Sequence, residues 1–328
     1  MTLVNSLFFD NKISELHHGN ALDILKHIPD EVVQTVVTSP PYFGLRDYGN
    51  TDQIGLELTS KAYVEKLVEI FREIRRCLKD SGTVWINLGD SYSSGNRKTT
   101  TVPTLRVKNN SVPDYNKNFI VRPPIDKQIK PKDLVGIPWK VAFALQKDGW
   151  YLRSDIIWNK PNPMPESVQD RPTKSHEYIF LLSKNEKYFY DNKAIREPSS
   201  DLKQTAQRYK HLFFTGDKHK SGRGWPGKGE NKTKYLDFDG TKNKPSVWTV
   251  TLKPIKEAHF ATYPEDLIIP CILAGTAPND IVLDPFVGSG TTCVVSQKLN
   301  RKSIGIDLNK DYLEIAKNRI TKTNLPMF

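Results

Sequence analysis

Apolar positions along this chain change their period from block to block. Val32–Thr38 is a β-branched apolar run that stops at Ser39-Pro40-Pro41, so a strand ends there. Lys61–Leu78 repeats apolar residues at Tyr63, Leu67, Ile70, Phe71, Ile74 and Leu78, one face of a helix that Ser81-Gly82 closes. Thr83–Leu88 is the next strand, and Pro138–Gln146 a helix ended by Asp148-Gly149. Tyr151–Trp158 and Glu177–Ser183 read as a hairpin with a long connection. Helix Pro264–Ala274, strand Ile281–Asp284, helix Thr291–Leu299, strand Ser303–Asp307 and helix Lys310–Thr321 follow. Strand and helix alternate, which predicts an α/β open sheet, mostly parallel, with helices on both faces.

Charge changes the picture in two places. The 328 residues carry a formal net charge of +11, with a pI near 9.3. Ser93–Lys132 holds nine Lys/Arg against two Asp/Glu, and Lys193–Lys256 fifteen against six. The framework outside them is therefore net negative. Both stretches lack apolar periodicity and carry aromatics such as Tyr115, Phe119, Tyr209, Phe213 and Trp225. They read as long inserts facing a polyanion.

Mean hydropathy is −0.52, and no apolar run approaches a membrane span. Met1–Lys12 has no basic flank, so no secretory signal is expected. Three dispersed cysteines, Cys77, Cys271 and Cys293, argue against a disulfide scaffold and suit a reducing cytoplasm. His17, His18, His27, His176, His211, His219 and His259 form no metal-ligand spacing, so no metal is expected.

Two corners carry candidate chemistry. Asp284-Pro285-Phe286-Val287-Gly288-Ser289-Gly290-Thr291-Thr292 joins a strand to a helix, and its glycines let backbone pass close to a ligand. It lacks the third glycine of a dinucleotide fingerprint and the lysine of a phosphate loop, which argues against a nicotinamide dehydrogenase or an ATPase. Asp307 ends the following strand, where an acidic residue can take ribose hydroxyls. Thr38-Ser39-Pro40-Pro41-Tyr42 leaves a buried strand as a proline-stiffened corner with carbonyls short of partners.

With both corners in one chain, the sequence resembles the DNA amino-methyltransferases, in the circularly permuted β group where the Ser-Pro-Pro-Tyr element precedes the glycine turn. Asn87–Tyr92, Trp158–Pro165 and Gly305–Arg319 also look like that group. The resemblance implies a Rossmann-like methyltransferase fold, α/β, with a seven-stranded, mostly parallel sheet. It implies catalytic-domain parts at 1–190 and 258–328, the first holding the basic insert 93–132, with a target-recognition region at 191–257. S-adenosyl-L-methionine would be the methyl donor, met by Asp284, Phe286, Gly288, Gly290, Thr291, Thr292, Asp307 and Asn20. Asn20 stands where the family often has Asp, and Asp23 is a substitute. A strand at Ser14–His18 would pair beside Ser303–Asp307.

By the same resemblance, Ser39, Pro40, Pro41 and Tyr42 form the catalytic corner. The Ser39 hydroxyl and Pro40 carbonyl would accept from the exocyclic amine of a flipped-out base, on which Tyr42 stacks. Asp90 either borders the base or caps a helix. Ser at the first position goes more often with cytosine N4 than adenine N6, so an N4-cytosine enzyme of a restriction–modification system is expected. N6-adenine methylation is the alternative, and an inactive sequence-specific DNA-binding protein the reading from another class. Double-stranded DNA is the expected partner, with Arg196, Arg208 and Arg223 available to read guanine and lysines to hold phosphate. A separately acting restriction endonuclease, a monomer or homodimer, and a prokaryotic cytoplasmic, nucleoid-associated location complete the expectation. RNA or protein amine methylation fits Ser39 and the basic inserts less well. C5 methylation needs a cysteine nucleophile after proline, and Cys271, which follows Pro270, reads as a core residue of an apolar helix.

Overall fold

The computed structural model describes residues 6–45, 52–93, 126, 128–199, 240–252 and 263–323. The chain divides into two compact units, Met1–Asp191 with Ser246–Phe328, and Asn192–Pro245. Most of the two basic inserts lies outside the described residues. In the smaller unit the described residues form a short helical turn, Lys193–Ile195, and an antiparallel pair, β7 (Glu197–Pro198) with β8 (Thr241–Lys242).

The larger unit is organised by strands β1 (Leu7–Asp10), β2 (Ser14–His18), β3 (Val33–Thr38), β4 (Leu78–Leu88), β5 (Tyr151–Asn159), β6 (His176–Ser183), β9 (Val247–Thr249), β10 (Ile281–Asp284) and β11 (Lys302–Asp307). They form one sheet in the order β1-β2-β11-β10-β3-β4-β6-β5-β9. Pairing from β2 through β4 is parallel throughout, and β6 runs against both its neighbours. All six residues of β3 are buried, as a β-branched strand covered on both faces should be. The expected pairing of Ser14–His18 with Ser303–Asp307 is present, residue for residue.

Among the described residues the sheet has nine strands, where seven were expected. The additions are the edge strands β1 and β9, whose short, partly exposed segments carry too weak an alternation to read. The long helix also ends earlier than Ser81-Gly82. Its last residue is Cys77, Leu78 is already extended, and Gly82 lies within β4, where a Cβ would sit 2.4 Å from Leu78 Cγ.

Helices α1 (Ala21–Leu25), α2 (Ser60–Cys77) and α3 (Ile137–Lys147) share one apolar cluster with Val36 of β3. Helices α4 (Glu265–Gly275), α5 (Thr291–Lys298) and α6 (Lys310–Lys322) belong to the other face. There Gly275 comes so close to the neighbouring strand residue Thr35 that a Cβ would sit 2.7 Å from its Oγ1. Thr35 and Val36 are consecutive, so they point to opposite faces. Leu16, Cys293, Val294, Leu313 and Ala316 form a second cluster under α5 and α6. The helix after β3 thus covers one face and the helix after β10 the other. Adjacent parallel strands that part in this way open a crevice at their carboxyl ends, where open α/β sheets bind ligands.

Candidate active site

The glycine turn leaves β10 through Asp284, which is buried. Its carboxylate accepts hydrogen bonds from Thr38 Oγ1 at 2.7 Å, Thr292 Oγ1 at 2.5 Å, Tyr263 OH at 2.9 Å and Phe286 N at 3.1 Å. Burial raises the Asp284 carboxyl above its ordinary value, against the pull of Thr292 and Thr38. Gly290 has φ +82°, and a Cβ there would lie 2.7 Å from Ala316 Cβ. It is the residue that lets α6 close onto the turn. Arg319 of α6 donates from Nη1 to Ser289 O at 2.6 Å and to Thr291 Oγ1 at 3.0 Å, fixing the start of α5. Gly288 differs, because a Cβ there meets nothing nearer than Phe286 O at 4.0 Å. What it keeps clear is open space.

Asp307 faces the same space from the end of β11. Its Oδ2 accepts from Gly288 N and its Oδ1 from Asn309 N, both at 2.8 Å. Burial pushes its carboxyl up to about 6 despite those donors. Asn20, at the end of the loop after β2, caps α1 by accepting from Leu22 N at 2.9 Å. Gly19 N donates to Asp307 O at 3.0 Å, which locks the two parallel strand ends together.

The proline corner sits at the end of β3. Tyr63 OH on α2 donates to Pro41 O at 2.8 Å and fixes the loop from below. The Tyr42 ring lies over Gly89, where a Cβ would come within 2.5 Å of Cε2. Tyr42 OH stands 2.7 Å from Glu177 Oε2, 3.2 Å from Asn87 Oδ1 and 3.5 Å from Ser39 Oγ. Burial, reinforced by Glu177, holds the phenol well above its ordinary pKa, so it keeps its proton. Glu177 forms an ion pair with Lys160, both side chains only 15% exposed, and Lys160 Nζ lies 4.2 Å above the Trp158 ring.

Both corners line one cavity of about 440 Å³, within the range of small-molecule sites. Ser39, Pro40, Pro41 and Tyr42 form one part of its wall, and Asn20, Phe286, Gly288, Thr291 and Asp307 another. Asp284, Gly290 and Thr292 are not on the surface of the cavity. They stand behind its wall, where the first and last share a hydrogen bond and Gly290 makes room for α6. Asp90 also stays out, since its carboxylate accepts from Gly136 N and Ile137 N and so caps α3. Asp23 is exposed beside Lys26. Arg196 Nη2 donates to Thr241 O in the smaller unit, and Arg208 and Arg223 lie outside the described residues. Cys271 is buried in α4.

Sequence reasoning singled out no role for Asn87, Lys160, Glu177 or Tyr263, all of which line the cavity. The blocks Asn87–Tyr92 and Trp158–Pro165 were signals for the first two. Glu177 merely opens a strand, and Tyr263 follows the insert without any local pattern.

Known proteins share this architecture. The chain matches the DNA methylase family, of N6/N4 type, over residues 33–318. It is 48% identical to the type II methyltransferase M.Cfr9I of Citrobacter freundii, across 93% of this chain and 87% of that protein. It is likewise 48% identical to M.SmaI of Serratia marcescens, across 93% and 89%. Among solved structures, the PvuII DNA methyltransferase (cytosine-N4-specific) superposes with a TM-score of 0.61 at 18% identity, covering 96% of this chain and 88% of that one. The M1.HpyAVI–SAM complex superposes with a TM-score of 0.51 at 19% identity, covering 94% and 99%. A family match across most of the chain, joined to relatives of nearly half identity along almost their full length, leaves one conclusion: the chain belongs to the N6/N4 family of DNA methylases.

Proposed function

We propose that this protein methylates the N4 amine of cytosine in duplex DNA, using S-adenosyl-L-methionine, as the modification enzyme of a restriction–modification system. The observation that carries the reading is the sharing of one cavity by the Ser39 corner and the Gly288 turn. When bound, the cofactor supplies an electrophilic methyl carbon on a sulfonium. Asp307, at a strand end with its carboxylate on the cavity, suits the two hydroxyls of a ribose. The space that Gly288 keeps clear and the exposed side of Phe286 suit the rest of the nucleoside.

An exocyclic amine is a poor nucleophile because its lone pair is delocalised into the ring. Acceptors aimed at its hydrogens favour the pyramidal nitrogen and the positive charge that develops there. Ser39 Oγ and Pro40 O provide acceptors at the cavity wall, and Tyr42 a ring for the base. The donor would give up its methyl carbon and keep the S–C electron pair on sulfur, and the methylated amine would shed one proton to water. The base must leave the duplex to reach this depth. The basic stretches at 93–132 and 193–256 supply charge for phosphates, and the region 191–257 is assigned to target recognition. Ser at position 39 supports cytosine over adenine.

Mass spectrometry of nucleosides from DNA treated with protein and cofactor tests this. N4-methylcytosine is the expected product. N6-methyladenine would replace the base assignment, and no methylated nucleoside would overturn the activity.

A further inference from the structure

Four polar groups meet at the proline corner, and their donor and acceptor capacities determine which way each proton points. Glu177 Oε1 is engaged by Lys160, and Oε2 receives Tyr42 OH at 2.7 Å. Asn87 Nδ2 donates to Glu177 Oε2 at 3.1 Å and to Tyr178 O at 3.2 Å, so the amide turns its Oδ1 toward Tyr42. The Tyr42 oxygen therefore faces two acceptors, and its single proton must go to one of them. The shorter, charge-assisted contact to Glu177 takes it. The lone pairs of Tyr42 are then left for Ser39, whose hydroxyl donates at 3.5 Å. That contact is long, and substrate binding can tighten it. With its only proton turned to Tyr42, Ser39 Oγ presents lone pairs alone to the cavity.

We propose that Glu177, anchored by Lys160, is a positioning residue that polarises the chain Glu177–Tyr42–Ser39 so that the serine meets the target amine as a hydrogen-bond acceptor. The inference rests on the methyltransferase reading of the cavity. Without the carboxylate, Ser39 can rotate its proton into the cavity, where it opposes the amine hydrogens. Neither Glu177 nor Lys160 needs to touch the cofactor for this. The serine acquires the acceptor role that a carboxylate would have by its nature, through a carboxylate one residue removed.

The test is a double-mutant cycle on single-turnover methyl transfer to DNA, with Glu177→Gln, Tyr42→Phe and the pair together. Glu177→Gln keeps the shape but brings an N–H donor toward Tyr42. We expect it to lower the rate of transfer about 10- to 100-fold, the loss typical of one hydrogen bond to a charged group, with affinity for S-adenosylmethionine within about twofold. The double variant should be no slower than the slower single, because both remove the same relay. Glu177→Asp, which preserves acceptor polarity, should recover part of the rate. Additive losses, or a Gln variant as fast as wild type or as Asp, overturn the relay while leaving the enzyme reading intact. If Glu177→Gln does not fold, Tyr42→Phe reads the same hydroxyl, and a wild-type rate there overturns the relay. A wild-type protein that transfers no methyl group to DNA overturns the site reading and the relay with it.

Discussion

Thr38 and Asp284, separated by 246 positions in the chain, are joined by a 2.7 Å hydrogen bond behind the cavity wall. One ends the strand that leads into the proline corner, the other the strand that leads into the glycine turn. The bond sets the spacing of the two corners from beneath, and it makes the buried Asp284 carboxylate part of the site's construction.

Thr38→Val removes one of the four donors to Asp284 while keeping the side-chain shape. A buried carboxylate short of a donor costs about 1–3 kcal/mol. We expect a lower denaturation midpoint by urea titration, and a fall in methyl transfer larger than the fall in cofactor affinity, because the corners lose register.

Gly288→Ala and Gly290→Ala should fail in different ways. Both positions have positive φ, but only Gly290 is pressed against Ala316. Gly290→Ala should destabilise the fold by about 2–4 kcal/mol, from the left-handed backbone and the clash together. Gly288→Ala should cost about 1 kcal/mol in stability and show its main effect in calorimetric cofactor affinity, since its methyl enters the cavity.

On the proposed reading, Asp307 gives donor binding a pH dependence. Its folded carboxyl is raised to about 6 from an ordinary value of 3.8, so the folded state holds a proton that the unfolded chain has released. This group therefore makes stability fall as pH rises between those values and leaves it level above the upper one. Ribose hydroxyls donate best to the ionised form, so cofactor affinity should rise several-fold as pH passes through about 6. Titration calorimetry on either side of that pH checks it, and Asp307→Asn should bind weakly with no such rise.

Ser39→Ala should lower methyl transfer by two or more orders of magnitude, in line with the loss of a group that stabilises developing charge. Affinity for the cofactor should change little, since Ser39 belongs to the other part of the wall. Radiolabel transfer and equilibrium binding, measured on one preparation, separate the two quantities.

DNA affinity should fall steeply with added salt. The two basic stretches carry enough Lys and Arg to neutralise several phosphates, and each contact adds about −0.9 to the slope of log affinity against log salt. Fluorescence anisotropy between low and physiological salt measures that slope, and a flat response removes the inserts from the DNA interface.

Much of this architecture is legible before any coordinates. The run Val33–Thr38 is β-branched at every position but Gln34 and reads as a central strand, and all six of its residues are buried. A strand, a glycine bend and a helix at 281–298 predict each other, and both corners announce themselves by residues that restrict or free the backbone. The pairing of Ser14–His18 with Ser303–Asp307 was implied by the resemblance to the permuted methyltransferases, and it is present. What escapes is whatever depends on the neighbours of a neighbour. Glu177 has no local signature, because its meaning comes from Tyr42 and Lys160, which reach it from two other elements. Asp90 read either as a neighbour of the base or as a cap, and only the helix that begins at Ile137, far along the chain, decides for the cap. Asp284 and Thr292 read as ligand contacts, although they are the bracket behind the wall.

The order of strands also bears on how this chain comes off the ribosome. Strands β2 and β3 appear early, yet the positions between them are filled by β10 and β11, from residues 281–307. Until those strands are made, the sheet lacks two neighbouring members, and Asn20 and Ser39 stand without Phe286, Gly288, Thr291 and Asp307 to complete the wall. On the proposed reading, donor binding has to wait for the last strands.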